Sequence, residues 1–162
     1  PETFDDRMKI RMVDPMEIFA AKGNALLTRT AARDLYDWCN MLSEGLFEEQ
    51  CDLFRKCFLF YMTISADTLN KSFDTSAIDT LDFNKIRRDL FPVLNKKDNF
   101  QLDERKKIAK NYISDLMVLT TKEKEYLDRF EEKKYMPELL FEDAEIVERV
   151  KNHPMALWKC KE

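Results

Sequence analysis

The window from Lys22 to Asp37, K-G-N-A-L-L-T-R-T-A-A-R-D-L-Y-D, gathers the side chains best suited to chemistry on a charged group. Lys22, Arg29 and Arg33 are cations able to contact phosphate oxygens. Asp34 and Asp37 are carboxylates able to serve as a base or a metal ligand. At about 100° per residue, Ile18, Lys22, Ala25, Leu26 and Arg29 share one face of a helix. Lys22 thus falls between Ile18 and Leu26 on the face expected to be buried, where an ammonium is costly without a partner. Asp34 and Asp37 lie off the Leu35/Trp38/Leu42 stripe of the next helical stretch, so they need not face the core. A short connection over 28–31 would return the two helices side by side, with Lys22 and Asp34 on a common cleft. Two readings follow. One is a lysine–aspartate ion pair tying two helices together; the other is a phosphate-binding cation beside a carboxylate base or metal ligand. Spacing does not choose between them.

The elements that must position these residues are helical. Of the 162 residues, 44% are apolar and 36% charged, which fits one compact domain with a full core. Two glycines are too few for a chain of hairpins or a Rossmann turn. The longest apolar run, 57–62, falls far short of the roughly 20 residues of a membrane-spanning helix, so no membrane partner is expected. Asp14-Pro15-Met16-Glu17 sets an N-cap Asp, an N1 Pro and an N3 Glu in register, starting a helix that runs to about Thr28. A second helix spans about 32–42 and stops near Gly45. A third, 47–69, is apolar nearly all round at C-F-L-F-Y-M and belongs at the centre of a bundle. Shorter helices are expected at 82–91, 103–118, 121–133 and 143–151, with Thr120 and Glu123 forming another capping box.

Residues 8–13 read differently, with Met8, Ile10 and Met12 alternating against Lys9 and Arg11 as in a half-buried strand. No later stretch alternates as a partner, so either another chain supplies the sheet or this is the C-terminal part of a longer α/β protein. The expectation is a mainly α protein, a helical bundle with one N-terminal strand left over from a truncated α/β fold. Residues 1–13 are then a remnant of a missing core, and 14–162 a helical C-terminal domain.

The run from Pro15 to Asp37, with Lys22, Arg29 and then Arg33-Asp34-Leu35-Tyr36-Asp37 in order, resembles the nucleotidyltransferase AbiEii/AbiGii toxin family. The N-H-P-M-A-L-W ending is similar to a bacterial branch of it. The resemblance implies transfer of a nucleotide from an NTP to an acceptor that can be tRNA. It also implies a small mixed sheet whose Gly-Ser and Asp-x-Asp signatures hold Mg²⁺ on the triphosphate, followed by a helical region. Lys22 would contact phosphate oxygens, and Asp34 would act as base on the acceptor hydroxyl or orient it. Arg29 and Arg33 would contact phosphate or fix carboxylates, while Tyr36 and Asp37 support the site. The chain contains no Gly-Ser pair and no Asp-x-Asp. Mg²⁺ and NTP are therefore expected only in an intact protein, with no metal ligands here and no turnover by this polypeptide alone. The alternative is a non-enzymatic helical interaction domain, for which a protein antitoxin is one partner.

The net charge of −4 excludes bulk attraction to a polyanion, but it is unevenly spread. Residues 85–110 hold nine basic residues against four acidic. Arg87, Arg88, Lys96, Lys97, Arg105, Lys106, Lys107 and Lys110 could track a tRNA backbone, or form a solvated charged face. Cys39, Cys51, Cys57 and Cys160 show no C-x-x-C spacing and His153 is the lone histidine, which argues against zinc. Inert, reduced thiols in a cytoplasmic protein are expected, with Cys51 and Cys57 in the core.

Overall fold

The computed structural model describes residues 14–29, 31–66, 69–81 and 102–161. Over these the protein is mainly α, with no strand among the described residues. The helices are α1 (Pro15–Thr28), α2 (Ala32–Ser43), α3 (Cys51–Ser65), α4 (Leu102–Leu116), α5 (Thr121–Glu131), α6 (Ala144–Val150) and α7 (Pro154–Lys159). The expected strand at 8–13 and helix at 82–91 lie outside the described residues.

Two helix starts follow from their capping boxes. At α1 the Met16 N–H donates to Asp14 Oδ1 at 2.9 Å and the Asp14 N–H to Glu17 Oε2 at 3.0 Å, with Pro15 first in the helix. At α5 the Glu123 N–H donates to Thr120 Oγ1 at 3.1 Å and the Thr120 N–H to Glu123 Oε1 at 2.9 Å. Each cap satisfies amides that would otherwise lack a partner and stabilises by about 1 kcal/mol. The chain leaves α2 through Gly45, whose φ of +66° a side chain would strain.

Helix α3 is the centre, with α1, α5 and α7 packed on it, while α2 bridges α1 and α4. Its start at Cys51 is later than the apolar text suggests. Phe47 takes a left-handed φ of 66° and a 3₁₀ turn over Glu48–Gln50 precedes the helix. Cys51 is therefore exposed at the first turn instead of lying in the core, whereas Cys57 and Cys39 are buried. Phe54, Phe58 and Met62 are core as their spacing predicts; Tyr61 is half-buried at its edge. Helix α7 has no apolar stripe to announce it. It starts at His153, whose Nδ1 accepts the Met155 N–H at 3.2 Å.

The tightest contact lies between α1, α2 and α3. Trp38 of α2 is fully buried with its ring 5.9 Å from Phe58 and 6.0 Å from Phe54. Its Nε1–H donates to the Phe19 carbonyl of α1 at 2.8 Å. A Cβ on Gly23 would lie 2.2 Å from Trp38 Cζ2 and 2.5 Å from Phe58 Cε2. The backbone of α1 thus rests directly on two aromatic rings. Next to it, Asn24 Nδ2 donates to the Phe58 carbonyl at 3.0 Å, fixing the height of α1 on α3.

A buried charge cluster joins α3 to α5. Glu123 is 0% exposed; it receives Arg55 Nε at 2.8 Å, Arg55 Nη2 at 3.1 Å and Lys56 Nζ at 2.8 Å. Burial alone would raise this carboxyl, but the hydrogen bonds from Arg55, Lys56 and the Thr120 N–H outweigh it and hold it below its ordinary value.

Gly23→Ala should destabilise the fold by about 1–3 kcal/mol in urea unfolding, although alanine is the better helix former, because neither ring can yield to a methyl group. Glu123→Gln should cost about 3 kcal/mol at neutral pH by leaving Lys56 without a carboxylate and Arg55 with Asp52 alone. A carboxyl with a lowered folded pKa stabilises above its unfolded value and loses that contribution as pH falls through the folded one. Stability measured against pH should therefore fall below about 4.5 in the parent chain, and that part of the fall should vanish in Glu123→Gln.

Candidate functional site

Lys22 directly precedes Gly23, so the close approach of α1 to Trp38 carries its side chain to the first two turns of α2. Lys22 Nζ donates to Asp37 Oδ2 at 2.9 Å and lies 3.9 Å from Asp34 Oδ1. Arg29, at the C-cap of α1, places Nη2 3.4 Å from Asp34 Oδ2. The connection is as short as 28–31 suggests: α2 opens at Ala32, setting Asp34 in its first turn, where the helix dipole favours an acid. Four candidates, Lys22, Arg29, Asp34 and Asp37, thereby form one ion-pair network.

Two details depart from the helical-wheel expectation. The buried residues of α1 are Met16, Glu17, Ala20, Gly23, Asn24, Leu26 and Leu27, so Ile18 is exposed and Lys22 lies on the flank with 30% of its side chain open to solvent. Asp34 does face inward and is 5% exposed, because α1 covers the side of α2 next to its apolar stripe. Arg33 is exposed on the first turn of α2, and Tyr36 packs half-buried against the core.

The cluster pairs two cations with two carboxylates and carries no net charge. Both carboxylates already face a cation. One N–H of Lys22 is spent on Asp37, and the Arg29 side chain is 71% exposed. Donors thus remain for phosphate oxygens at the mouth of the cluster. A divalent metal would need Asp34 and Asp37 released from Lys22 and Arg29. Among the described residues no group of three or more His, Cys, Asp or Glu converges on a metal-sized site. Paired with cations as they are, Asp34 and Asp37 do not fit Mg²⁺.

The basic segment divides. Arg87, Arg88, Lys96 and Lys97 lie outside the described residues. On α4, Lys110 Nζ binds Asp79 Oδ2 at 2.8 Å and Lys106 Nζ the Asp79 carbonyl at 3.2 Å, while Lys107 is exposed. The Arg105 carbonyl accepts the Cys39 thiol at 3.6 Å.

Contacts that spacing does not reveal lie at the other end of α1. Arg149 Nη2 meets Glu17 Oε1 at 2.5 Å, across 132 residues of sequence. Burial, with Glu17 adding to it, pushes the Cys57 thiol and the Tyr61 hydroxyl each up to about 12, so neither is a nucleophile near neutral pH. Burial lowers His153, whose ring packs 5.4 Å from Phe60. Among the described residues no helix is long and apolar enough to cross a membrane.

A family model described as the nucleotidyl transferase AbiEii toxin of type IV toxin–antitoxin systems matches residues 1–134. No curated protein and no solved structure matches the chain.

Proposed function

The chain belongs to the AbiEii nucleotidyl transferase toxin family, and from that premise we propose that it supplies phosphate-holding and acceptor-orienting side chains to a transferase that moves a nucleotide from an NTP to an acceptor hydroxyl. The observation that carries this reading is the network of Lys22, Arg29, Asp34 and Asp37, which leaves cationic donors facing solvent beside a buried carboxylate.

In the proposed reaction the acceptor oxygen bonds to the α-phosphorus as the bond to the departing pyrophosphate breaks. Lys22 holds phosphate oxygens with the donors that Asp37 does not take, and Asp37 fixes the direction of the ammonium. Arg29 and Arg33, at the exposed edge, add phosphate contacts. Asp34 orients the acceptor hydroxyl and receives its proton. Tyr36 anchors the first turns of α2 on the core. The Mg²⁺ that the resemblance implies has no ligand set in this site, and we assign it to residues other than those of α1 and α2. We take tRNA as the acceptor class, held along Arg105, Lys106, Lys107 and Lys110 together with Arg87, Arg88, Lys96 and Lys97. An antitoxin protein as partner and a cytoplasmic location complete the proposal. A second reading, a helical module that binds an antitoxin without catalysis, draws support from the pairing of both carboxylates with cations.

In a protein that includes the metal-binding core, Lys22→Ala or Asp34→Ala should lower transfer by about 10²–10³-fold with the circular dichroism melt little changed. Unfolding of both variants would make the cluster a strut. Turnover by this chain alone would contradict the expectation that it carries no metal ligands. Replacing Arg105, Lys106 and Lys107 by Glu should reduce the salt slope of tRNA binding by about two, and an unchanged slope would remove this face from the acceptor site.

A further inference from the structure

Helix α7 turns its large apolar side chains away from the core. Ala156, fully buried, marks the inward side of the helix, which packs on α3. At about 100° per residue, Pro154, Met155, Leu157 and Trp158 occupy the opposite arc. All four are exposed, and Trp158 is 67% open to solvent. Seven large apolar side chains are exposed among the described residues, and three of them lie on this six-residue helix. The other four, Ile18, Leu46, Ile108 and Val118, lie on other elements. Single exposed apolar residues are ordinary, but a helix whose whole outer face is apolar marks an interaction surface.

The helix is held at both ends. His153 caps its start. At its end the Lys133 ammonium donates to the Lys159 carbonyl at 3.0 Å, and the Lys159 ammonium donates to the Ala66 carbonyl at the end of α3. A face fixed in advance loses little freedom when it is covered.

The same lysines set the charge around it. The stretch 149–161 carries four basic residues and no acidic one, in a chain of net charge −4. Arg149 and Lys151 are paired with Glu17 and Glu148. Lys133 and Lys159 bind only carbonyls, which leave their charge uncompensated, and Lys161 is exposed just past the helix. An apolar centre with a cationic rim is complementary to an apolar stripe flanked by carboxylates. Other anionic surfaces fit less well. One indole on a convex helix offers a nucleic acid neither a groove nor successive stacking rings. An anionic bilayer would meet the net negative charge of the whole molecule, whereas a single segment, within a Debye length of about 8 Å, meets the local cations.

We propose that the outer face of α7 docks an acidic, amphipathic segment of a partner protein, with Trp158 as the anchor. Leu157 and Trp158 cover the partner's apolar stripe, and Lys133, Lys159 and Lys161 meet the carboxylates beside it. Docking here is independent of the Lys22 cluster and of what that cluster holds.

The test uses three synthetic amphipathic helices of about 15 residues, each with a Leu and Phe stripe flanked by Glu, by Gln or by Lys. Each is titrated against the full chain and followed by calorimetry and by Trp158 emission, with the buried Trp38 as internal reference. The Glu peptide should bind saturably with a Kd of about 1 mM or tighter and shift Trp158 emission to the blue. The Gln peptide should bind several-fold more weakly, and the Lys peptide should not bind. Trp158→Ser should weaken the Glu peptide about tenfold, and the charge reversal Lys161→Glu several-fold, while Lys22→Ala leaves binding unchanged. If Trp158→Ser does not fold, the exposed Lys161→Glu variant decides by itself. Absence of binding by the Glu peptide, or equal binding of all three peptides, would overturn the proposal. So would tighter binding of polyuridylate or of phosphatidylserine vesicles to this face than of the Glu peptide.

Discussion

A missing side chain organises this molecule. Because Gly23 has no Cβ, the backbone of α1 can rest on the rings of Trp38 and Phe58 at a separation no other residue permits. The Trp38 indole N–H then reaches the Phe19 carbonyl, and Asn24 reaches the Phe58 carbonyl. Three helices are thereby fixed around one aromatic cluster. Lys22, the neighbour of Gly23, is delivered to Asp34 and Asp37 as a consequence. The position of the candidate site is a property of core packing before it is a property of its own charges.

The charges divide into two kinds of work. At Glu123 a fully buried carboxylate is saturated by Arg55, Lys56 and a helix cap, leaving nothing for a ligand. Such a cluster holds α5 to α3, and its energy is felt when one member is lost. At Lys22 the pairing is looser, with Asp34 at 3.9 Å, and the cations stand partly in solvent, where an ion pair contributes little to stability. An arrangement that stabilises weakly yet keeps donors aimed outward is one that a ligand can occupy at small cost to the fold.

Much of the framework is legible in local text. Asp14 to Glu17 and Thr120 to Glu123 announce two helices because a cap is a short-range hydrogen-bond pattern, and the apolar run through Phe58 marks the central helix. The pairing of Lys22 with α2 was within reach because the loop between them is short. What local text could not carry is contact across distance. A helical wheel places Ile18 and Lys22 inward, but the approach at Gly23 rotates the buried face, leaving Ile18 exposed and Lys22 on the flank against α2. The same packing buries Asp34. Glu123 reads as a cap, while its larger role depends on Arg55, 68 residues away. Arg149 with Glu17, and the apolar face that α7 turns outward, depend on a tail whose route no periodicity reveals.

The central claim is that Lys22 holds phosphate and is not merely a strut. It is tested by amine-selective labelling of the protein, read lysine by lysine by mass spectrometry, with and without inorganic triphosphate. The account predicts that triphosphate slows modification of Lys22 and spares Lys56, which stays locked on Glu123 in either condition. Equal labelling of Lys22 with and without triphosphate would contradict it.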